Sequence, residues 1–485
     1  MPFNPQITVD VFDNVGKLIG PGPLKNVLTV IVEEALDLAG RVTLVFPAPD
    51  PRVNDLVANE RHVQVRTDEG IVAAGIMQEI LTDLQPNLLS VAGPDRMGEL
   101  LYLSTQYNRM YDDLATASIV GTTASGRGLL RETGWIPGSV TPSITPTTIT
   151  YNSQSVLAAL ITLASQTGDH FREGSSARTL DYGVFGVDSG VQFINPAQVT
   201  YAQSKERNPN LVYINQLQVA SISADIENRL YPLGASKFDL RDASNASALI
   251  LVRGNRGPLG FSTLLVGGHA SGVSVLNVTA GTGTNFTPGE DLWIGTAPTW
   301  TDPHEVVTIL SVTANTITLT GVTVNAYSGG EAVIQRFLFY VEDAASQVVF
   351  GERENTPQFG WIKPTDASDS TSRANAADTL YNAVQARLTR YKDTYENVVI
   401  PEVFNLPASL RVGQKVRITA RMVDQVGGYI LNIDALYYVI RIVRTWSGNG
   451  RFAASVVVAN VSRPAPNNIN FVLYNLTTNQ WVGVK

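Results

Sequence analysis

The chain has 485 residues, 44% hydrophobic and only 16% charged, with a formal net charge of −8 and no cysteine. The length predicts two to four domains rather than one; a charged share below the usual ~25% points to a surface covered in an assembly, or to a β-protein rich in Thr, Asn and Ser; and the lack of cysteine excludes disulfides, thiolate metal sites and cysteine nucleophiles. A negative balance argues against a general nucleic-acid binder, which carries a basic face, while a mildly acidic lumen would let nucleic acid slide past by repelling phosphates.

In chain order, residues 1–25 read as an arm, with Gly20-Pro21-Gly22-Pro23 too irregular for regular structure. Residues 26–93 are strand-rich: Val42 to Phe46 runs into the proline turn 47–51, and Val63-Gln64-Val65-Arg66 alternates at period two before a return segment, 70–76. Residues 94–255 are mixed. They hold a short helical turn at 97–103, a small-residue loop at 121–128 and a Thr/Ser/Pro connector at 137–148. A helix follows at 153–167, with Leu157, Leu160, Ile161 and Ala164 on one face, Ser153 as N-cap and Gly168 as stop. Short strands are expected at 211–214 and 217–222.

Residues 256–335 change character to Gly, Thr, Asn and Val, with paired strands at 305–312 and 316–322 around Thr313-Ala314-Asn315. This stretch reads as a small β-barrel or sandwich inserted between strand-like 248–252 and 337–341. Residues 336–395 complete the middle domain with a helix at 372–392, capped by Asp369 or Ser370 and striped by Ala376, Leu380, Ala383, Val384, Arg387, Leu388 and Tyr391. Residues 396–462 repeat the earlier device: Val416-Arg417-Ile418-Thr419 alternates, and a return segment follows at 436–443. Residues 463–485 form a tail with a final hairpin. The fold class expected is mainly β with α+β parts: two similar small β-barrel domains, a mixed middle domain and an inserted small β-domain. The longest apolar runs, 27–32 and 437–443, are far too short to cross a bilayer. The N-terminus lacks the features of a secretory signal, so a soluble chain made in the cytoplasm is expected.

Catalytic patterns are sparse. His62, His170, His269 and His304 stand at no metal-ligand spacing, and no HExxH, GxSxG or GxxxxGK[ST] occurs. His62 reads as an exposed strand end and His170 as part of an ordered turn. Glu33 and Glu34 fall on opposite faces of a strand, and Glu352 and Glu354 share one face that reads as solvated. No catalytic residue, cofactor or metal site is expected. Trp293 and Trp300 bracket a loop of the inserted module and are the glycan-binding candidates, against a reading as packing residues.

The order of these features resembles that of the tail-hub proteins of tailed bacteriophages, the baseplate hub of contractile tails and the tail-tip hub of siphophages. The resemblance rests on HVQVRTDEGIVAAGIMQEI after the proline turn, SVLAALITLASQTG before His170-Phe171-Arg172, the strand end Asn228 to Gly234, the helix at 374–391 and LRVGQKV before the last return strand. It covers most of 26–460 apart from the insert. It implies a homotrimer whose two barrels per chain form a ring of pseudo-sixfold symmetry, with Val63, Gln64, Val65, Arg66, Val416, Arg417, Ile418 and Thr419 in the ring strands. It further implies a structural, non-enzymatic virion component of the tail tip or baseplate. The implied neighbours are the tail tube or distal tail protein, the C-terminus of the tape-measure protein and a central fibre or spike. Double-stranded DNA would pass through the lumen without specific binding, and this chain would not insert in a membrane. A surface adhesin with a carbohydrate-binding insert and a cell-wall hydrolase acting at entry are the alternatives.

Overall fold

In the computed structural model the described residues are 7–20, 22–24, 26–47, 52, 56–57, 60–67, 70–83, 88–105, 109–121, 128–143, 147–195, 208, 210–235, 262–289, 291–295, 305–335, 340–366, 369–423, 429–448, 451–461, 472–475 and 480–483. They are mainly β with α+β parts, as expected, and five clusters of buried apolar side chains organise them.

Eight strands form one continuous ribbon. Their spatial order is Gln218–Ile222, Tyr395–Val403, Phe452–Ala459, Tyr429–Ser447, Thr29–Ala35, Arg41–Pro47, Leu88–Pro94 and Glu79–Asp83, and every neighbouring pair is antiparallel. Directly opposed residues lie on one face of a sheet. The pairs Val219–Val398, Val398–Val458, Val456–Ile442, Trp446–Val30, Val30–Leu44, Leu44–Val91 and Val91–Ile80 therefore trace a single inner face from end to end. One half of that face builds the core around Val398, Val456 and Ile442; the other half builds the core around Val30, Leu44 and Val91. Each fully buried aliphatic side chain contributes roughly 1.5–3 kcal/mol of transfer free energy.

The strand that joins the halves is 19 residues long, Tyr429–Ser447. It is rich in Tyr, Ile, Val and Leu and holds neither Gly nor Pro, so nothing in it breaks an extended backbone. On one edge it pairs first with Lys415–Val423, through residues 429–438, and then with Thr29–Ala35, through residues 441–447. Between these partners Gly413 N donates to Val439 O and Leu36 N donates to Ile440 O, so the hydrogen-bonded edge runs on across the join.

Both alternating segments form hairpins. His62–Thr67 pairs antiparallel with Gly70–Ile76, and Lys415–Val423 pairs antiparallel with the long strand. Their surroundings differ. The first hairpin, with Thr8–Phe12 from the N-terminal arm, is a separate three-stranded sheet that lays Val9, Val11, Val63 and Val65 onto the inner face of the ribbon. The second is continuous with the ribbon and is flanked by Asp188–Ile194 and Leu211–Tyr213, which run parallel. Among the described strands neither unit closes on itself through hydrogen bonds. The chain turns at 76–78 and so detaches the first hairpin, whereas the second return strand runs straight on.

The middle of the chain is α+β. The helix Val156–Thr167 is buried on a face wider than the expected stripe, adding Val156, Ala159 and Leu163. Its N-cap is Ser155, whose Oγ accepts from Ala158 N at 3.1 Å, not Ser153, which sits in a turn at φ +45°. A cap of this kind is worth about 1 kcal/mol. Gly168 ends the helix at φ +83°, as its conformational freedom allows. Much of the expected connector is extended, in the strands Ile136–Thr141 and Thr147–Tyr151, and the first is an edge strand that tolerates Pro137 because it pairs only with Thr179–Gly183. The long helix is Ser370–Tyr391, capped by Asp369, and it buries Ala376, Leu380, Ala383, Val384 and Leu388 against Leu230, Val341 and Ile362. Strands lie at Leu211–Tyr213 and Gln218–Ile222 and a 3-10 turn at Arg96–Leu101, close to expectation.

Residues 262–335 hold a six-stranded sheet with a core of its own, including Leu276, Phe286, Leu292, Ile309 and Ile317. Its central hairpin, Glu305–Val312 and Thr316–Leu319, turns at Thr313-Ala314-Asn315 as expected. The tail hairpin is Val472–Asn475 with Gln480–Gly483. The expected strand at 248–252 and most of the loop at 121–128 lie outside the described residues.

Candidate functional site

The place where the chain's units converge is the join along the long strand, which is charged. Glu33 and Glu34 follow each other in Thr29–Ala35 and point to opposite faces. On one face Glu33 Oε1 accepts from Arg441 Nε at 2.5 Å; on the other, Glu34 Oε1 accepts from Arg444 Nη1 at 2.6 Å. Arg444 is buried and its second nitrogen donates to Leu410 O at 2.5 Å. Arg411 Nε reaches the other oxygen of Glu34 at 3.3 Å. Each face of the seam between the two β units is thus held by an ion pair. Such pairs are costly to break one-sidedly, because the remaining charge keeps its desolvation penalty.

The middle domain enters the same junction. Arg411 donates to Glu173 O at 3.0 Å, Arg172 donates to Val412 O at 2.5 Å, and Arg96 pairs with Glu173 at 2.8 Å. In the turn after Thr29–Ala35, Asp37 adopts φ +64° and holds two successive residues: Oδ2 lies 2.6 Å from His170 Nδ1, and Oδ1 accepts from Phe171 N at 2.8 Å. His170, read from the sequence as part of an ordered turn, is the buried first residue of the strand His170–Glu173. Next to it Asp169 has one oxygen on Ser143 N, and burial pushes its carboxyl up.

Asp95 caps the 3-10 turn through Met97 N at 3.0 Å, with its own amide on Gly40 O. Burial, reinforced by Glu173, raises its carboxyl to about 7. Between about pH 4 and 7 the folded protein therefore holds a proton that the unfolded chain has lost. Stability falls as pH rises through the interval from about 4 to 7. Asp95→Asn keeps the cap and removes the titration. Its melting temperature is expected to match the parent near pH 4 and to exceed it most above pH 8. The gain is at most roughly 4 kcal/mol, and less to the extent that this half-buried residue keeps water contact. Parallel melting curves of the two proteins from pH 4 to 9 would refute the shift.

The ring-strand candidates alternate as their sequence requires. Val63, Val65, Val416 and Ile418 are fully buried. Gln64 is half-buried, Arg66 is exposed with Asp10 at 3.1 Å, Arg417 is exposed with Asp434 at 2.7 Å, and Thr419 accepts from Gln192 at 2.9 Å. The eight do not converge on one site; they lie in two different sheets. Trp293 lies in the strand Asp291–Gly295, and Trp300 and His304 lie outside the described residues.

Several other charged groups are engaged by neighbours. Glu342, Glu352 and Glu354 converge on the buried Arg229, so the face of Glu352 and Glu354 is an arginine cradle rather than a purely solvated one. Arg229 also lies over the Tyr340 ring at 5.2 Å. Glu99 takes Arg178 by two bonds of 2.8 and 2.9 Å and the Trp135 indole at 3.1 Å. His62, a strand end that is half-buried, stands 3.8 Å from Glu99; burial lowers its imidazole pKa despite that carboxylate. Among the described residues no group of three or more His, Asp or Glu could hold a metal, and no helix is long and apolar enough to cross a membrane. Sequence reading flagged Glu33 and Glu34 but missed their arginines, which lie about 400 residues away. Two arginines in the mostly apolar second half of the 19-residue strand were the available signal.

No protein-family model matches the sequence, and no curated protein matches it. Among solved structures the chain is similar to a tail protein from Neisseria meningitidis, with 10% identity, TM-score 0.45, and 93% of this chain and 96% of that one covered. It is also similar to a prophage tail protein from Listeria monocytogenes, with 8% identity, TM-score 0.49 and coverages of 94% and 95%. A third is the 43 kDa tail protein of a Shewanella oneidensis prophage, with 10% identity, TM-score 0.45 and coverages of 94% and 98%. Likeness at these levels leaves the functional argument to the chain's own geometry.

Proposed function

We propose that this chain is a structural hub of a phage tail tip or baseplate, a non-enzymatic virion component that assembles as a homotrimer. The observation that carries this reading is the ribbon. It bears two hairpin units, one on each half, with a shared inner face and a seam locked by Glu33–Arg441 and Glu34–Arg444. Two hairpin units held rigidly in one chain let three chains present six comparable units around an axis, which is what joining a sixfold tube to a threefold tip demands. Buried charge pairs suit the task, since they fix one relative placement of the units.

On this reading the ring strands are those of Val63 to Arg66 and Val416 to Thr419. The neighbours are the tail tube or distal tail protein, the tape-measure C-terminus and a central fibre or spike, and DNA leaves through the lumen. The divisions at 25, 93, 255, 335, 395 and 462 belong to the same proposal. The purified chain is expected to form rings with a threefold axis and six similar densities, visible by negative-stain microscopy, and to weigh three chains by mass photometry. A chain that stays monomeric up to its solubility limit, or that forms rings of another symmetry, overturns the proposal.

A further inference from the structure

Exposed strand edges are sites of unwanted pairing, and proteins protect them with charge, proline, short length or cover. Several edges among the described strands are so protected. The edge of Thr8–Phe12 is covered by Ile19 and Leu24, whose amides donate to Val11 O and Val9 O. Leu211–Tyr213 is three residues long, and Ile136–Thr141 carries Pro137 and Gly138. Gln218–Ile222 is different. All five residues are exposed, none is charged or proline, Val219 and Ile222 are 37% accessible, and among the described residues no strand pairs with its outer edge.

This edge is one end of the eight-strand ribbon. The other end is Glu79–Asp83, also five residues long and also open among the described residues, where Leu81 is 64% accessible. We propose that Gln218–Ile222 of one copy of this chain pairs antiparallel with Glu79–Asp83 of the next, so that a second copy is the partner that completes each end of the ribbon.

Three features of the ribbon fit this junction. A closed ring of identical chains needs two different edges per chain, one to give and one to receive, and the ribbon has one at each end. Every pairing inside it is antiparallel, so an antiparallel junction continues the pattern. The face also fixes the register. Val219 opposes the buried Val398, and Ile80 opposes the buried Val91, so residues 219, 221, 80 and 82 belong to the inner face. Setting Ala220 opposite Leu81 places 219 across from 82 and 221 across from 80. The inner faces then stay in phase between copies, while a slip of one residue would turn Val219 outward.

The pairing rests on the ring reading above, and the test separates the two. The natural chain has no cysteine, so engineered pairs report without background. Directly opposed Cβ atoms of paired strands lie about 4.5–5.5 Å apart, within reach of a disulfide after small adjustment. The double variant Ala220→Cys/Leu81→Cys, oxidised mildly after assembly, is expected to give covalent species of up to three chains, with 81–220 links found by peptide mass spectrometry. Each single variant is expected to stay uncrosslinked. Links between two copies of residue 220 would mean twofold edge pairing and overturn the proposal. Threefold rings without 81–220 links overturn the pairing and leave the ring standing, whereas absence of both rings and links ends both. As a second readout, Ala220→Lys is expected to leave the melting temperature unchanged and to raise the concentration for half-assembly at least tenfold; unchanged assembly also overturns the pairing.

Discussion

Arg444→Met is expected to lower the stability of the protein by about 3–5 kcal/mol, the usual cost of removing one partner of a buried ion pair. Arg444 is buried in the long strand and donates to both Glu34 and Leu410 O. Its loss leaves the Glu34 carboxylate largely enclosed on the inner face of the seam. Arg411, at 3.3 Å and one-third exposed, is a weak substitute. Urea unfolding measures the loss, and amide exchange locates it: residues 29–35 and 441–447 are expected to lose protection before the cores on either side do. Glu34→Gln combined with Arg444→Met is expected to recover most of the loss, because the stranded charge is then gone. A single variant within 1 kcal/mol of the parent would show that the seam does not depend on this pair.

The same seam shows what the sequence could and could not disclose. Both alternating segments were legible because period-two burial is local: Val63 and Val65, like Val416 and Ile418, face inward whatever sheet they join. The two helices were legible for the same reason, apart from a cap that moved from Ser153 to Ser155 when Ser153 was drawn into a turn. Partner strands were not legible. Whether a return strand ends after seven residues, as Gly70–Ile76 does, or runs on for 19 depends on what it meets. The carboxylates at 33 and 34 read as a local pair of charges, and only the fold sets Arg441 and Arg444 diagonally across from them. Likewise Glu352 and Glu354 read as a solvated face until Arg229, more than 120 residues away, lies between them.

Gly93→Ala is expected to cost about 3 kcal/mol or more, because overpacking against backbone has no soft side chain to yield. Gly93 lies in Leu88–Pro94, opposite Val42, where the chain leaving the first hairpin crosses the ribbon. A Cβ there would overlap the Ile76 carbonyl oxygen, with the carbonyl carbon 2.8 Å away and Gln78 N at 3.2 Å. The crossing cannot simply lift. Gln78 N donates to Ala92 O at 3.0 Å, Met77 N donates to Arg61 O at 2.9 Å, and the Met77 side chain is fully buried in the core beneath the hairpin. Relief of the overlap therefore withdraws Met77 and loosens Val63 and Val65, the inward residues of the first hairpin. The expected readout is a lowered melting temperature, with faster amide exchange confined to residues 61–78. Gly360→Ala is the control, since a Cβ at Gly360 meets nothing within 4 Å. If the hub reading holds, the two variants also differ in assembly. With the first hairpin displaced, three of the six units around the axis lose their shape, so Gly93→Ala is expected to form no closed rings while Gly360→Ala forms them normally. Normal rings from Gly93→Ala would mean that the first hairpin takes no part in the annulus, and the equivalence of the two units would have to be given up.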